Sequence, residues 1–306
     1  MLNFLPPKIL GSLGVLLLVS NLLLWLIPYL AVAFAKLFVP NPTWRRWCTN
    51  VLTWIAWRWA GLDNVFMDLL YKIEWEVSGV EELDRHDRYI VISNHQSWLD
   101  IPVLLRAFYG HLAYPRFFMK QALLWVPVIG MAAWALDMPF MKRYSREYLA
   151  KHPELRGKDL ETTRRACERL RDLPISFLIF VEGTRLTPEK HARQESPYQH
   201  LLRPKAGGLA YILSALGDKF DTLIDVIVVY PDEDVSFWNF LSGRLSRIIV
   251  RVEKTSIPHK YIHGDYVDDP AFREEFQAWV RELWRAKDAR IEQVLQEAKA
   301  TVEAAE

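Results

Sequence analysis

The sequence predicts an α/β protein: a mainly parallel mixed sheet flanked by helices, with an N-terminal membrane helix or helical hairpin. Three observations carry this. Residues 9–35 contain no charged side chain, and about 20 apolar residues suffice to cross the hydrocarbon core of a bilayer. From residue 73 onward, short β-rich runs alternate with helical patterns, the signature of strands joined by crossover helices. The most apolar of these runs are continuous rather than alternating, which suits a sheet covered on both faces. With 306 residues the chain is ample for a buried core with attachments.

Taken in order, "ILGSLGVLLLVSNLLLWLIPYLAVAFA" reads as a lipid segment. The stretch after it, "TWRRWCTNVLTWIAWRWAG", interleaves Arg45, Arg46 and Arg58 with Trp44, Trp47, Trp54, Trp57 and Trp59. Such a pattern suits the bilayer interface, with cations on headgroups and indole rings at the acyl boundary. One span ending near Ala35 and a hairpin broken near Pro28 both fit. In either case Lys36, Arg45 and Arg46, set against Lys8 before the segment, place the remainder on the cytoplasmic side. A second apolar stretch, residues 122–141, contains Pro127, Gly130, Asp137 and Pro139. These argue against a stable span and for a buried or membrane-dipping element.

The strands expected are "IEWEV", "YIVIS", "RFFMK", "ISFLIFVE", "IDVIVVY" and "RIIVRVE". The helices between them are "DIPVLLRAF", "DLETTRRACERLRDL" and "GGLAYILSAL". The last stretch reads as one long helix opened by Asp269 and Pro270. Its stripe of Phe272, Phe276, Trp279, Leu283 and Trp284 is expected to pack on the body, leaving a solvated polar tail. The chain therefore divides into an anchoring segment at 1–72, an α/β domain at 73–270 and a C-terminal helix at 271–306.

Charge balance, 38 Lys and Arg against 37 Asp and Glu, removes the global electrostatic argument for a nucleic-acid partner. Cys48 and Cys167 make no disulfide framework, and neither CxxC nor HExxH spacing indicates a metal.

The stretch "SNHQSWLD" sets His95 five positions before Asp100. On a continuous helix that spacing turns the two side chains about 140° apart. A strand ending in a tight turn that opens a helix is different: "YIVIS" precedes His95, and "DIPVLL" starts a helix with Asp100 at or near its N-cap and Pro102 in its first turn. The carboxylate then folds back onto the imidazole, facing the crevice at the strand ends where α/β sheets bind ligands. His263 and Asp268 repeat the spacing in a loop with no strand before it, which reads as a surface turn. Local context alone leaves His95 equally a proton acceptor or a turn-capping residue.

Three further stretches follow in order. "FMKQALLWVPVIG" sets Lys120 beside an apolar floor, "FVEGTR" ends a strand with Glu182, Gly183, Thr184 and Arg185, and "VIVVYP" ends another at Pro231. In isolation "EGTR" reads first as a strand-end turn with a surface ion pair, and only its place in the ordered set raises it. Together, an NHx4D block, a lysine-containing apolar block ending in P-x-x-G, an EGTR block and a strand ending in proline resemble the glycerolipid acyltransferase superfamily, best known for the lysophosphatidic acid acyltransferases. The runs "WALDMPFMKRYSREYL", "RGKDLETTRRACE", "EKH" and "RPKAGGLA" look like its bacterial inner-membrane branch of probable acyltransferases. A long insert between residues 142 and 172 departs from the housekeeping enzymes and leaves the acceptor lipid open.

The resemblance implies transfer of a fatty acyl group from acyl-CoA or acyl carrier protein to a lysophospholipid hydroxyl, foremost 1-acylglycerol-3-phosphate. It implies no cofactor and no metal, and a catalytic domain on the cytoplasmic face of a bacterial inner membrane. His95 would be the general base and Asp100 its orienting carboxylate. Arg185 and Lys120 would bind the acceptor phosphate, tasks suited to a guanidinium fork and a point-charge ammonium. Gly183 would let backbone approach the ligand, Thr184 belongs to the same block, and Glu182 would anchor the loop or meet a substrate hydroxyl. Asn94 and Ser97 would hold the turn by side-chain to backbone bonds, with Pro231 in support. "RPKAGGLAYIL", with Lys205, Gly207 and Gly208, is a further anion candidate or a site of close packing. "RRACERLR", with Arg143 and Arg146 upstream, reads as a solvated helix face or as a contact for anionic headgroups or for the carrier attached to the thioester. The competing readings are a membrane-anchored lipid-binding protein of the same fold and a metal-dependent lipid hydrolase, which lacks a ligand cluster.

Overall fold

The computed structural model describes residues 2, 4–141, 152, 174–220, 222–232 and 234–304. The insert at 142–172, with Arg143, Arg146 and "RRACERLR", lies outside the described residues save His152.

Two long helices open the chain, α1 (Pro7–Phe38) and α2 (Pro42–Leu70). They run antiparallel: the Asn21 amide donates to Trp59 O and to Asp63 Oδ1 (2.7 Å), and Lys36 Nζ donates to Thr49 Oγ1 (2.9 Å). The hairpin turn falls at residues 39–41, not near Pro28, which lies inside α1. Pro28 removes one backbone rung, but packing of α1 along α2 carries the helix past it. Around residue 40, by contrast, stop and start signals coincide: Pro40 disfavours continuation, the Asn41 side chain accepts from Trp44 N, and Pro42 takes the first helical position. Among the described residues, α1 alone is long and apolar enough to cross a membrane. Leu16, Leu23, Leu24, Ile27 and Phe38 on its outer face are exposed.

The body follows as β1 (Glu74–Ser78), β2 (Tyr89–Ser93), α3 (Asp100–Ala107), β3 (Pro115–Phe117), β4 (Met119–Lys120), α4 (Ile129–Ala135) and β5 (Phe140–Met141). It continues as β6 (Ser176–Phe180), α5 (Pro188–Gln194), α6 (Gly207–Leu216), β7 (Thr222–Val229), α7 (Phe237–Leu241), β8 (Arg247–Ser256) and α8 (Pro270–Glu303). Among the described residues, six strands form one sheet in the order β1-β8-β7-β2-β6-β3. Strands β7, β2, β6 and β3 are mutually parallel, β8 is antiparallel to β7, and β1 is parallel to β8. This is the mainly parallel mixed sheet that the apolar runs predict. Strands β4 and β5 pair separately.

Side chains along a strand alternate between faces. In β2, Ile90 and Ile92 join the core under α6 and α8, while Tyr89 and Val91 join the one under α3 and α7. Burial on both faces is why these strands are continuously apolar. The second apolar stretch becomes a 3-10 turn (Gln121–Trp125) followed by α4, with Trp125 80 % and Ile129 51 % exposed. In α8 the buried stripe does not stop at Trp284: Ile291, Val294 and Ala298 continue it. The expected solvated tail therefore packs on the body, because the spacing of three and four persists beneath its polar composition.

Candidate active site

Strand β2 delivers Asn94 and His95 to the carboxyl edge of the sheet. The Asn94 side chain extends the ladder by one rung, donating to Val228 O and accepting from Val228 N, both at 2.9 Å. The chain then turns tightly. Asp100 Oδ2 accepts from Gln96 N (2.7 Å) and Ser97 N (2.9 Å), and lies 2.7 Å from His95 Nδ1. Tyr230 donates its hydroxyl to Asp100 Oδ1 at 2.8 Å. Ser97 Oγ accepts from Leu99 N and donates to Val235 O.

This geometry sets the tautomer. Three other donors already converge on the fully buried Asp100, so its oxygens act as acceptors and Nδ1 carries the proton. Nε2 is then left with its lone pair. The imidazole stacks on Phe180 at 3.9 Å and its side chain keeps 14 % of its surface exposed.

The EGTR loop grips His95 from both sides. Glu182 Oε1 accepts from His95 N and Oε2 from Leu202 N, each at 3.0 Å, while Leu186 N donates to His95 O at 2.7 Å. Glu182 is fully buried beneath the turn, so of its two expected roles the contacts are those of an anchor. Burial pushes its carboxyl up to about 7, opposed by the Leu202 and His95 N–H groups and by the Lys287 ammonium. Gly183 turns the chain with φ +71°, a conformation that favours glycine. Thr184 Oγ1 accepts from Lys190 Nζ (2.9 Å), which also reaches Arg185 O. The Arg185 guanidinium lies 4.3 Å over the ring of Trp98, within the His95 turn. Strand β7 ends at Val229, two residues before Pro231, which cannot donate to a ladder, and Tyr230 between them faces Asp100. Lys120 lies on β4; its side chain is outside the described part of the molecule.

The other candidates lie apart. His263 and Asp268 are exposed in the loop before α8. Lys205 N donates to Val181 O, and Lys205 lines a separate polar pocket at the start of α6. A Cβ on Gly208 would meet open space, and one on Gly207 only ordinary contact with Tyr266, so close packing does not explain these glycines.

From His95 and Phe180 an apolar groove of about 510 Å³ runs past Phe117 and Leu136 to Trp25 and Tyr29 of the hairpin. Tyr29 donates to Ala132 O (2.6 Å), tying α1 to α4 along one wall. Sequence reasoning missed Tyr230, Trp98, Lys190 and Phe180. Tyr230 and Trp98 stand inside stretches singled out for other residues, but nothing local marks which partner each meets.

A histidine–carboxylate pair at parallel strand ends thus opens on an apolar groove beside an apolar hairpin. The acyltransferase family model matches residues 74–231, just over half of the chain, from β1 to the proline just past β7. The chain belongs to this family, within the glycerolipid acyltransferase superfamily.

Among curated proteins, lysocardiolipin acyltransferase 1 of Danio rerio is 27 % identical over 84 % of this chain and 64 % of its own length. The 1-acyl-sn-glycerol-3-phosphate acyltransferase 3 of Arabidopsis thaliana is 26 % identical over 91 % of this chain and 72 % of its own. The chain thus spans a little under two thirds of the zebrafish relative. Among solved structures, the 1-acyl-sn-glycerophosphate (LPA) acyltransferase PlsC of Thermotoga maritima covers 96 % of this chain and 98 % of its own, with TM-score 0.52 and 19 % identity. That likeness is one of fold.

Proposed function

We propose that the protein transfers a fatty acyl group from an acyl thioester, acyl-CoA or acyl carrier protein, to the hydroxyl of a lysophospholipid, with 1-acylglycerol-3-phosphate the leading acceptor. The observation that carries this is the His95–Asp100 pair at the mouth of the apolar groove. An alcohol is a poor nucleophile until it loses its proton. Nε2 of His95 takes the hydroxyl proton as the oxygen attacks the thioester carbonyl carbon. Asp100 holds the ring and stabilises the imidazolium that forms. The tetrahedral intermediate collapses with loss of the C–S bond, and the leaving thiolate recovers the proton from Nε2. The products are an ester and a free thiol, and no acyl-enzyme is needed.

The groove takes the acyl chain, and Arg185 of the EGTR loop, held over Trp98 of the His95 turn, takes the acceptor phosphate together with Lys120. The names of the relatives from Danio rerio and Arabidopsis thaliana support a lysophospholipid acceptor. The hairpin reading of the anchor is supported by its contacts. Near one end of α1, Gly11 and Gly14 pack against Trp238 and Tyr71. Near the other, Lys36 bonds Ala135 O (2.7 Å) and Asp137 Oδ2 (2.6 Å). From Gly14 to Lys36 the helix rises about 33 Å, comparable to a hydrocarbon core of about 30 Å. A crossing helix would need one α/β body on both sides of the bilayer, so α1 and α2 lie along a single leaflet. The cations Arg45 and Arg46 favour the cytoplasmic face of a bacterial inner membrane.

The test is thiol release and product mass spectrometry with purified protein in lipid, across a panel of thioesters and lysolipids. His95→Ala and Asp100→Asn should each lower the rate by about 10² to 10⁴ with folding intact; near-normal transfer by both would remove the assignment. Arg185→Ala should raise KM for the lysophospholipid more than for the thioester. A protein that binds both ligands yet releases no thiol would instead be a lipid-binding member of the family.

A further inference from the structure

The buried stripe of α8 is Phe276, Val280, Trp284, Lys287, Ile291, Val294 and Ala298. Six of these positions are apolar or small; the fourth is a lysine with 0 % exposure. An ammonium in such a place is strongly disfavoured unless it is paired and hydrogen-bonded. Burial accordingly lowers the Lys287 pKa, and Asp225 opposes that. Nζ donates to Val226 O (2.6 Å) and Ile92 O (3.4 Å), carbonyls of the two central strands, and pairs with Asp225.

Docking of the helix does not require this charge. Arg290, one turn further on, pairs with both Asp225 and Glu253, and the apolar stripe supplies the rest. What Lys287 adds is a positive charge under β2, three residues before His95 and in electrostatic contact with Glu182.

We propose that Lys287 is a positioning residue for acyl transfer, acting through Glu182 on the backbone of His95. The assignment rests on the function proposed above. Glu182 accepts from two backbone N–H groups, one on each oxygen. Protonation would turn one oxygen into a donor facing another donor, and the His95 or Leu202 anchor would be lost. Burial drives Glu182 toward that neutral form and Asp100 adds to it, while the two N–H groups and Lys287 resist. The titratable and charged groups around the pair are Asp225 on β7, Arg290 on α8, Glu253 on β8, and Asp100 and His95 in the turn. Lys287 thus shifts the balance toward the ionised anchor.

The experiment is the pH dependence of thiol release from palmitoyl-CoA with oleoyl lysophosphatidate and the full chain in vesicles. Lys287→Gln keeps an N–H donor for Val226 O and leaves Asp225 paired with Arg290. The acid limb should move up by about one unit, making the loss relative to the unaltered protein about ten-fold greater at pH 6 than at pH 8.5. In a Glu182→Gln background the same substitution should leave the profile where it was. A loss uniform across pH, accompanied by a lower Tm, would mean a purely structural lysine and overturn the assignment. Should Lys287→Gln not fold, Glu182→Gln decides alone: an acid limb coincident with that of the unaltered protein overturns it, and a limb displaced to lower pH supports it. An unaltered protein inactive with every donor and acceptor would defeat the proposed function too, whereas an active one with coincident profiles defeats only this inference.

Discussion

Asp100 shows how much a single residue collects. Its two oxygens serve Gln96 N, Ser97 N, His95 Nδ1 and Tyr230 Oη. The imidazole was legible in "NHQSWLD", since a strand–turn–helix junction brings the two side chains together within six residues; the Gln96 and Ser97 N–H groups were not, because a carboxylate at a helix start reads as a cap for that helix rather than an acceptor for the turn before it. Tyr230 was not, because it arrives from 130 residues away along β7. Tyr230→Phe should cost about 1–2 kcal/mol of transition-state stabilisation, roughly 5- to 30-fold in kcat, with Tm little changed; steady-state kinetics beside calorimetry would show it. Glu182 gives a second measurement. Its carboxyl rises from 4.5 to about 7 on folding, so between those values the folded protein binds more protons than the unfolded chain. Stability contributed by this group therefore falls as pH rises through that window and stays low above it. Measured against Glu182→Gln, the unaltered protein should gain Tm on going from pH 8 to pH 6; a constant difference would show that Glu182 does not titrate there.

At the scale of elements, the hairpin, α4 and α8 each depart from a reading based on composition. The turn sits at 39–41 because backbone capping chemistry coincides there, whereas Pro28 alone is one missing rung in a packed helix. The stretch 122–141 was legible as too broken to span. Which of its residues face outward depends on α1, whose Tyr29 and Lys36 hold the carbonyls of Ala132 and Ala135. That leaves Trp125 and Ile129 exposed next to the groove, as a membrane-dipping edge would require. Replacing both by serine should weaken vesicle binding by about 2–4 kcal/mol while leaving the circular dichroism spectrum unaltered; flotation at fixed lipid concentration would read it. In α8, the charged composition disguises a buried stripe that runs to Ala298, although its spacing of three and four continues along the sequence.

For the molecule as a whole, the groove is a property of assembly. One wall comes from α1 and α2, another from α4, and its mouth from β2 and β6. Ala132 lines it with a methyl group, so Ala132→Phe should shorten the chain it accepts. Each methylene that no longer fits costs about 1 kcal/mol or more. The ratio of stearoyl to lauroyl transfer should accordingly fall at least about ten-fold in a donor competition assay, and an unchanged ratio would place the acyl chain elsewhere.

Local order in the chain was enough to establish the α/β class, the apolar N-terminal helix and the His95–Asp100 junction, because each depends on periodicity or on contacts within a few residues. Tertiary structure alone decided that α1 runs on past Pro28, that Glu182 faces inward as an anchor, that Tyr230 completes the carboxylate's partners, and that a lysine from the last helix lies under the site. Those relations join residues dozens to nearly two hundred positions apart. Their partners are chosen by strand register and by which surfaces pack together, and neither quantity is written in any single segment.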